Sequence, residues 1–179
     1  MTGKLVPGVD QLLTLGADVP LCMAQVPTLM RGIGDILTPW AVPGDLCLIL
    51  INPRRPLATG AVFQTLRRKE SEPMTPPPDP NSDPGPDPGP DPGGADWINW
   101  LVRQRNDLEV PAISLQPVIG QVLDVLRGLD GCRLARMSGS GATCFAIMRD
   151  ETAQLRGVAE LQRGFPDWWV KRCGLYQPG

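Results

Sequence analysis

Apolar residues fall into a few distinct patterns along this chain. Leu115, Val118, Ile119, Val122, Leu123 and Leu126 recur at the spacing of one helical face, predicting a helix that ends at Gly128 and the Asp130-Gly131 turn. Leu46 to Ile51 is an unbroken apolar run of strand length. It predicts a strand buried on both faces, stopped by Asn52-Pro53. Cys132 to Met137 and Ala142 to Met148 read as two more strands, joined through Ser138-Gly139-Ser140-Gly141. Arg31-Gly32-Ile33-Gly34-Asp35 reads as a hairpin turn with a strand on either side.

Helices fill the intervals. Val9 to Leu15 is a short helical segment leading into a turn at Asp18. Thr59 stands where an N-cap would start a helix through Arg68, burying Val62, Phe63 and Leu66. Ala95 to Gln104 should pack through Trp97, Trp100 and Leu101. Asp150 caps a helix carrying Leu155, Val158 and Leu161, and Trp168 to Leu175 is a last strand. Helices alternating with antiparallel strands around one sheet define an α+β fold.

One segment breaks every pattern. Residues 73–94 read PMTPPPDPNSDPGPDPGPDPGG, with Asp-Pro-Gly-Pro recurring at Asp83 and Asp87 and Asp91 opening the next unit. Proline removes donors, glycine has nothing to bury and the aspartates repel one another, so the segment is expected to be a disordered, solvated insertion.

Composition narrows the classes of function. The 179 residues are 42% hydrophobic with a formal charge of −2, enough for a core and too little positive charge for a nucleic-acid partner. The chain has no histidine, which excludes His-based triads and His-ligated zinc within it. Lysine occurs only at Lys4, Lys69 and Lys171. No apolar run reaches the ~20 residues of a membrane span. Five scattered cysteines, an odd count without a C-x-x-C pair or a signal peptide, predict a reducing, cytoplasmic setting.

Two places can carry chemistry. Asp18 sits in Leu15-Gly16-Ala17-Asp18-Val19-Pro20, with small residues beside it. Its carboxylate could orient a hydroxyl and take its proton, or cap the turn begun by Val19-Pro20. The two roles are compatible. Ser138 to Gly141 is a glycine loop between apolar runs, either an ordinary hairpin or a backbone cradle for phosphate oxygens.

These residues succeed one another in a telling order. Leu15 to Pro20 is followed by Arg31 to Asp35 with Thr38-Pro39, then Asn52-Pro53, Thr59 to Phe63, Arg105-Asn106-Asp107-Leu108-Glu109, and Ser138 to Ala142 with Phe145. That succession resembles the GHMP small-molecule kinases, from about Leu15 to Tyr176. It is most similar to the branch acting on a cytidine-diphosphate-linked C5 polyol in non-mevalonate isoprenoid synthesis. The resemblance implies the carboxyl part of a GHMP-kinase fold. Residues 1–42 would be the remnant of its amino-terminal domain, and 43–179 a ferredoxin-like C-terminal domain holding the insertion. It further implies Asp18 as the catalytic base on the 2-hydroxyl of the methylerythritol moiety. Thr59 and Phe63 would lie near the substrate, and Ser138, Gly139, Ser140 and Gly141 would wall the phosphate site. Thr59 has an alternative as a plain N-cap, and Phe63 as a core residue. ATP and Mg²⁺ would be the cofactors, with no metal ligand assigned within the chain.

The departures are equally specific. The family's lysine-asparagine opening, its cytosine-holding residues and its Gly-Leu-Gly-Gly-Gly-Ser-Ser loop do not occur. The chain is therefore expected to be truncated and inactive alone, its partner being a small-molecule substrate together with a missing amino-terminal half. The competing readings are a non-catalytic binding module derived from such a kinase, or another GHMP member such as a homoserine or mevalonate kinase.

Overall fold

The computed structural model describes residues 11–12, 14–16, 18–24, 26–32, 34–40, 46–67, 74–75 and 94–174. The chain divides into two units, Met1–Pro43 with Tyr176–Gly179, and Gly44–Leu175. In the first, helix α1 (Val19–Ala24) opens on Val19-Pro20, where the N–H that proline lacks would have had no partner. Strands β1 (Thr28–Arg31) and β2 (Ile36–Pro39) then form the antiparallel hairpin that the glycine pair predicts. Gly32 and Gly34 both take positive φ, +66° and +101°. Of the helical segment expected over Val9 to Leu15, Gln11 and Leu12 are helical; Val9, Asp10 and Leu13 lie outside the described residues.

The second unit begins with β3 (Cys47–Asn52) and the short helix α2 (Thr59–Thr65). Three helices follow: α3 (Gly94–Arg103), α4 (Glu109–Leu115) and α5 (Val118–Gly128). Strands β4 (Cys132–Met137) and β5 (Cys144–Met148), helix α6 (Glu151–Gly164) and strand β6 (Trp169–Cys173) complete it. The four strands form one antiparallel sheet in the order β4-β5-β3-β6. The first strand of the unit thus lies between its third and fourth, which is the ferredoxin-like arrangement.

Helices α5 and α6 cover one face of the sheet. There Ile119, Val122, Leu123, Leu126 and Leu161 meet Ile49, Ile51, Ala135, Met137, Cys144 and Ala146 in a continuous buried core. Strand alternation turns Leu134 and Arg136 to the opposite face, where α3 packs on β4 with Trp97, Ile98 and Trp100 buried. Strand β3 is less enclosed than its apolar run predicts. Ile49 and Ile51 are buried, while Leu48 and Leu50 on the other face stay partly exposed, because that second face is not fully covered.

Three helical expectations are corrected. Leu115 does not belong to the long helix: it ends α4 and is exposed. Pro117 pushes Gln116 to φ −137°, ψ 85°, since the residue before proline is crowded out of the helical region. One apolar stripe therefore crosses two helices. Thr59 is not the N-cap of α2; Ala58 is, with no side-chain bond, and the helix stops at Thr65 rather than Arg68. Leu155 is exposed on α6, whose buried side is Ala153, Gln154, Gly157 and Leu161. A Cβ on Gly157 would lie 3.0 Å from Ile49 Cδ1 and 3.2 Å from Leu129 Cδ1, so the helix sits close enough to the sheet that a larger residue would make these side chains shift. The Asp150 cap forms as expected, accepting from Ala153 N–H at 2.7 Å.

Within 73–94 the described residues are Met74, Thr75 and Gly94. Thr75 is held to α3: its carbonyl accepts from Trp100 Nε1 at 3.1 Å and its hydroxyl from Gln104 Nε2 at 3.2 Å. Among the described residues, no helix is long and apolar enough to cross a membrane.

Candidate functional site

The glycine loop is built by the hairpin that carries it. Ser138 N–H donates to Thr143 O at 2.9 Å and Gly141 N–H to Ser138 O at 3.0 Å, closing the turn between β4 and β5. The two amides between them, Gly139 and Ser140, have no protein acceptor among the described residues. Gly139 and Gly141 adopt φ of +54° and +86°, a region open to glycine at little cost. At Gly141 the space demands it as well, because a Cβ would lie 2.8 Å from Met137 Sδ and 3.3 Å from Leu57 Cδ2. Positive φ on alternate residues turns successive amides to one side, the geometry of an anion-receiving loop.

Side chains far away in sequence hold that loop in place. Asn106 Nδ2 donates to Met137 O at 3.0 Å and to Gly139 O at 2.8 Å, while its Oδ1 accepts from Leu108 N–H at 3.0 Å. Glu109 Oε2 accepts from Met137 N–H at 3.2 Å, and its Oε1 lies 3.6 Å from Arg127 Nη2. On the β5 side, Asn52 Nδ2 donates to Thr143 Oγ1 at 2.9 Å, and its Oδ1 accepts from Arg54 N–H at 2.7 Å. Beneath the loop Cys144 is fully buried; burial, then the nearby Glu109 carboxylate, pushes its thiol up to about 12.

Thr59 comes to this loop from the start of α2. Its hydroxyl lies 2.9 Å from the Ser140 hydroxyl; as the first helical residue, after the Ala58 N-cap, it is one position too late to cap its own helix. Phe63 follows one turn later and is 53% exposed, so the core role that its helical position allowed is not the one it takes. Val62 alone is the fully buried residue of that helix. The fold therefore brings Thr59 to Ser140 of the Ser138–Gly141 loop within the second unit, with Phe63 one helical turn further along. Asp18 belongs to the first unit. It is exposed and stands immediately before α1, its carbonyl accepting from Cys22 N–H at 3.1 Å.

Asn52, Asn106 and Glu109 are loop-supporting residues to which the motif reading gave no role. Their only sequence signal was position, within Asn52-Pro53 and Arg105 to Glu109. Nothing in spacing alone joins residue 106 to residue 139.

Comparison with known proteins fits this architecture. Residues 95–167 match the family model described as GHMP kinases C terminal. A crystal structure of a homoserine kinase from Cytophaga hutchinsonii superposes with a TM-score of 0.60 at 16% identity, over 88% of this chain and 50% of that one. It shares the fold. Residues 95–167 of the second unit thus match a GHMP kinase C-terminal domain, and the chain belongs with the GHMP kinases.

Within that class the similarity is to 4-diphosphocytidyl-2-C-methyl-D-erythritol kinases. The Ruegeria pomeroyi enzyme of that name is 42% identical over 93% of the chain and 57% of its own length. The Dinoroseobacter shibae enzyme is 45% identical over 94% of the chain and 54% of its own length. A crystal structure of 4-(cytidine 5'-diphospho)-2C-methyl-D-erythritol kinase superposes with a TM-score of 0.68 at 26% identity, covering 98% of this chain and 59% of that one. The chain spans about half the length of the curated relatives it matches.

Proposed function

We propose that this chain is the carboxyl portion of a cytoplasmic kinase that phosphorylates the 2-hydroxyl of 4-diphosphocytidyl-2-C-methyl-D-erythritol from ATP. In this reading residues 1–42 belong to the amino-terminal domain of such an enzyme and 43–179 to its C-terminal domain. The observation that carries it is the Ser138–Gly141 loop, fixed by Asn106 and Asn52 with the Gly139 and Ser140 amides left for an outside acceptor. Those amides would receive phosphate oxygens, and preorganised donors stabilise the charge that builds up during transfer. Thr59 and the exposed ring of Phe63 would face the cytidyl-linked substrate beside them.

Asp18 is the base. As the substrate oxygen bonds to the γ-phosphorus and the bond to ADP breaks, the hydroxyl proton passes to the Asp18 carboxylate. Mg²⁺ bound with the nucleotide would neutralise charge on its phosphates. Among the described residues no cluster of three or more His, Cys, Asp or Glu side chains could hold a metal ion, so no ligand is assigned to this chain.

The test joins the chain to the amino-terminal half of a relative such as the Ruegeria pomeroyi enzyme and follows ATP-dependent phosphorylation of the substrate. Asp18→Asn keeps the size of the side chain but cannot take the proton. It should lower kcat by ~10²–10⁴-fold with substrate affinity broadly kept. Turnover equal to the unsubstituted fusion would reduce Asp18 to a turn residue. No turnover in either would favour a binding module that has lost the chemistry.

A further inference from the structure

Strand β4 is an outer strand of the sheet, and along it lies a cavity of about 300 Å³. Its walls are Cys132 to Arg136 on the strand, Arg127 from the end of α5, and Val102 from the end of α3. Those two helices pack on opposite faces of the sheet, so the cavity wraps around the strand between them. Three of the lining side chains are guanidinium groups, from Arg127, Arg133 and Arg136, and none is a carboxylate.

The charges around it are unevenly matched. Arg127 is shared between Asp124 Oδ1 at 3.2 Å and Glu109 Oε1 at 3.6 Å. Arg136 bonds only to neutral acceptors, with Nη1 on Leu101 O at 3.0 Å and Nη2 on Val102 O at 3.5 Å. No carboxylate lies within ion-pairing distance of it among the described residues. Burial, opposed by Glu109, depresses its affinity for the proton, and Arg127 depresses it further. Crowded guanidinium groups facing a cavity become more stable when an anion enters, and their planar forks match phosphate oxygens in pairs. The volume is at the lower end of about 300–1,000 Å³, the span of small-molecule sites.

We propose that this cavity is a binding site for a small phosphate- or diphosphate-bearing molecule, held by Arg127, Arg133 and Arg136. It is a second anion site, lying along the strand that leads into the glycine loop and built from side chains rather than amides.

The chain itself can be titrated with inorganic phosphate and inorganic diphosphate against chloride at matched ionic strength, following ¹H–¹⁵N spectra that include the arginine Nε–H groups. The expected result is saturable shifts at the three arginines and at the amides of 132–136, tighter for diphosphate. Arg133→Gln, at an exposed position, should weaken diphosphate at least tenfold. Arg136→Lys keeps the charge but loses the fork, and should weaken it too. Shifts confined to Gly139 and Ser140, unaffected by Arg133→Gln, would overturn this site while supporting the loop reading. Shifts no larger than those from chloride would also overturn it.

Discussion

Gly139 and Gly141 occupy the same loop and both have left-handed φ, yet alanine should be tolerated very differently at the two. A Cβ on Gly139 meets no heavy atom within 4 Å, whereas one on Gly141 meets Met137 Sδ at 2.8 Å, Leu57 Cδ2 at 3.3 Å and Ile119 Cδ1 at 3.5 Å. Placing alanine in the left-handed region costs about 1–2 kcal/mol at either position. Crowding is an added cost only at Gly141, where Met137 and Ile119 are buried and have little room to yield; overpacking of this kind costs about 1–3 kcal/mol. Gly139→Ala should therefore lose about 1–2 kcal/mol and Gly141→Ala about 2–5 kcal/mol. For a chain of this size that corresponds to roughly 2–4 °C in Tm for each kcal/mol.

Urea titration, with the midpoint shifting at constant slope, gives both values. Adding Met137→Ala to Gly141→Ala removes the sulfur atom in the way, so the pair should lose less than the sum of the single losses. Equal losses at the two glycines, or strict additivity with Met137→Ala, would refute the claim that packing beneath the loop dictates glycine at 141.

Asn106→Ala removes three hydrogen bonds, each worth about 0.5–1.5 kcal/mol net, and should destabilise by roughly 1.5–4.5 kcal/mol with faster amide exchange at residues 138–141. Asn106→Asp keeps the acceptor for Leu108 N–H but neither donor, and should behave similarly. The Ala153 N–H bond and then Arg149 hold the Asp150 carboxyl below the usual carboxylate range. Its contribution is therefore present above about pH 4 and fades as pH falls through the lower folded value. Asp150→Asn should keep the cap while removing that part of the acid sensitivity, as acid titration of the two proteins will read. Cys144, buried with its thiol pushed up to about 12, should resist alkylation at pH 8 while exposed Cys22 reacts first; mass spectrometry of the labelled chain decides.

Sequence reading succeeded where side chains report their own surroundings. The stripe from Val118 to Leu126, the hairpin glycines at 32 and 34 and the Asp150 cap are local signals, and each formed. It failed where a partner lies far along the chain. Thr59 has the right chemistry for a cap, but the helix starts one residue earlier than expected, and its hydroxyl meets Ser140, 81 positions away. Gln154 carries no signal in the sequence, yet it is buried and donates to Leu48 O and Cys173 O at 2.6 and 2.9 Å. Leu115 carried the right period into the wrong helix because periodicity does not register the backbone break before Pro117. The glycine loop was legible as a motif, whereas the Asn106 and Glu109 side chains that fix its shape were legible only as neighbours in a string.

The bonds from Asn106 and Glu109 to Met137 also act on the sheet's rim. They occupy the backbone carbonyl and N–H of Met137, at the end of an outer strand where a foreign strand could otherwise dock and extend the sheet. Further along the same rim, Arg133 and Arg136 would bring like charges together if two copies paired edge to edge. The residues that shape the loop and crowd the cavity thus also guard this edge against self-association, and substitutions there should be screened for turbidity as well as for binding.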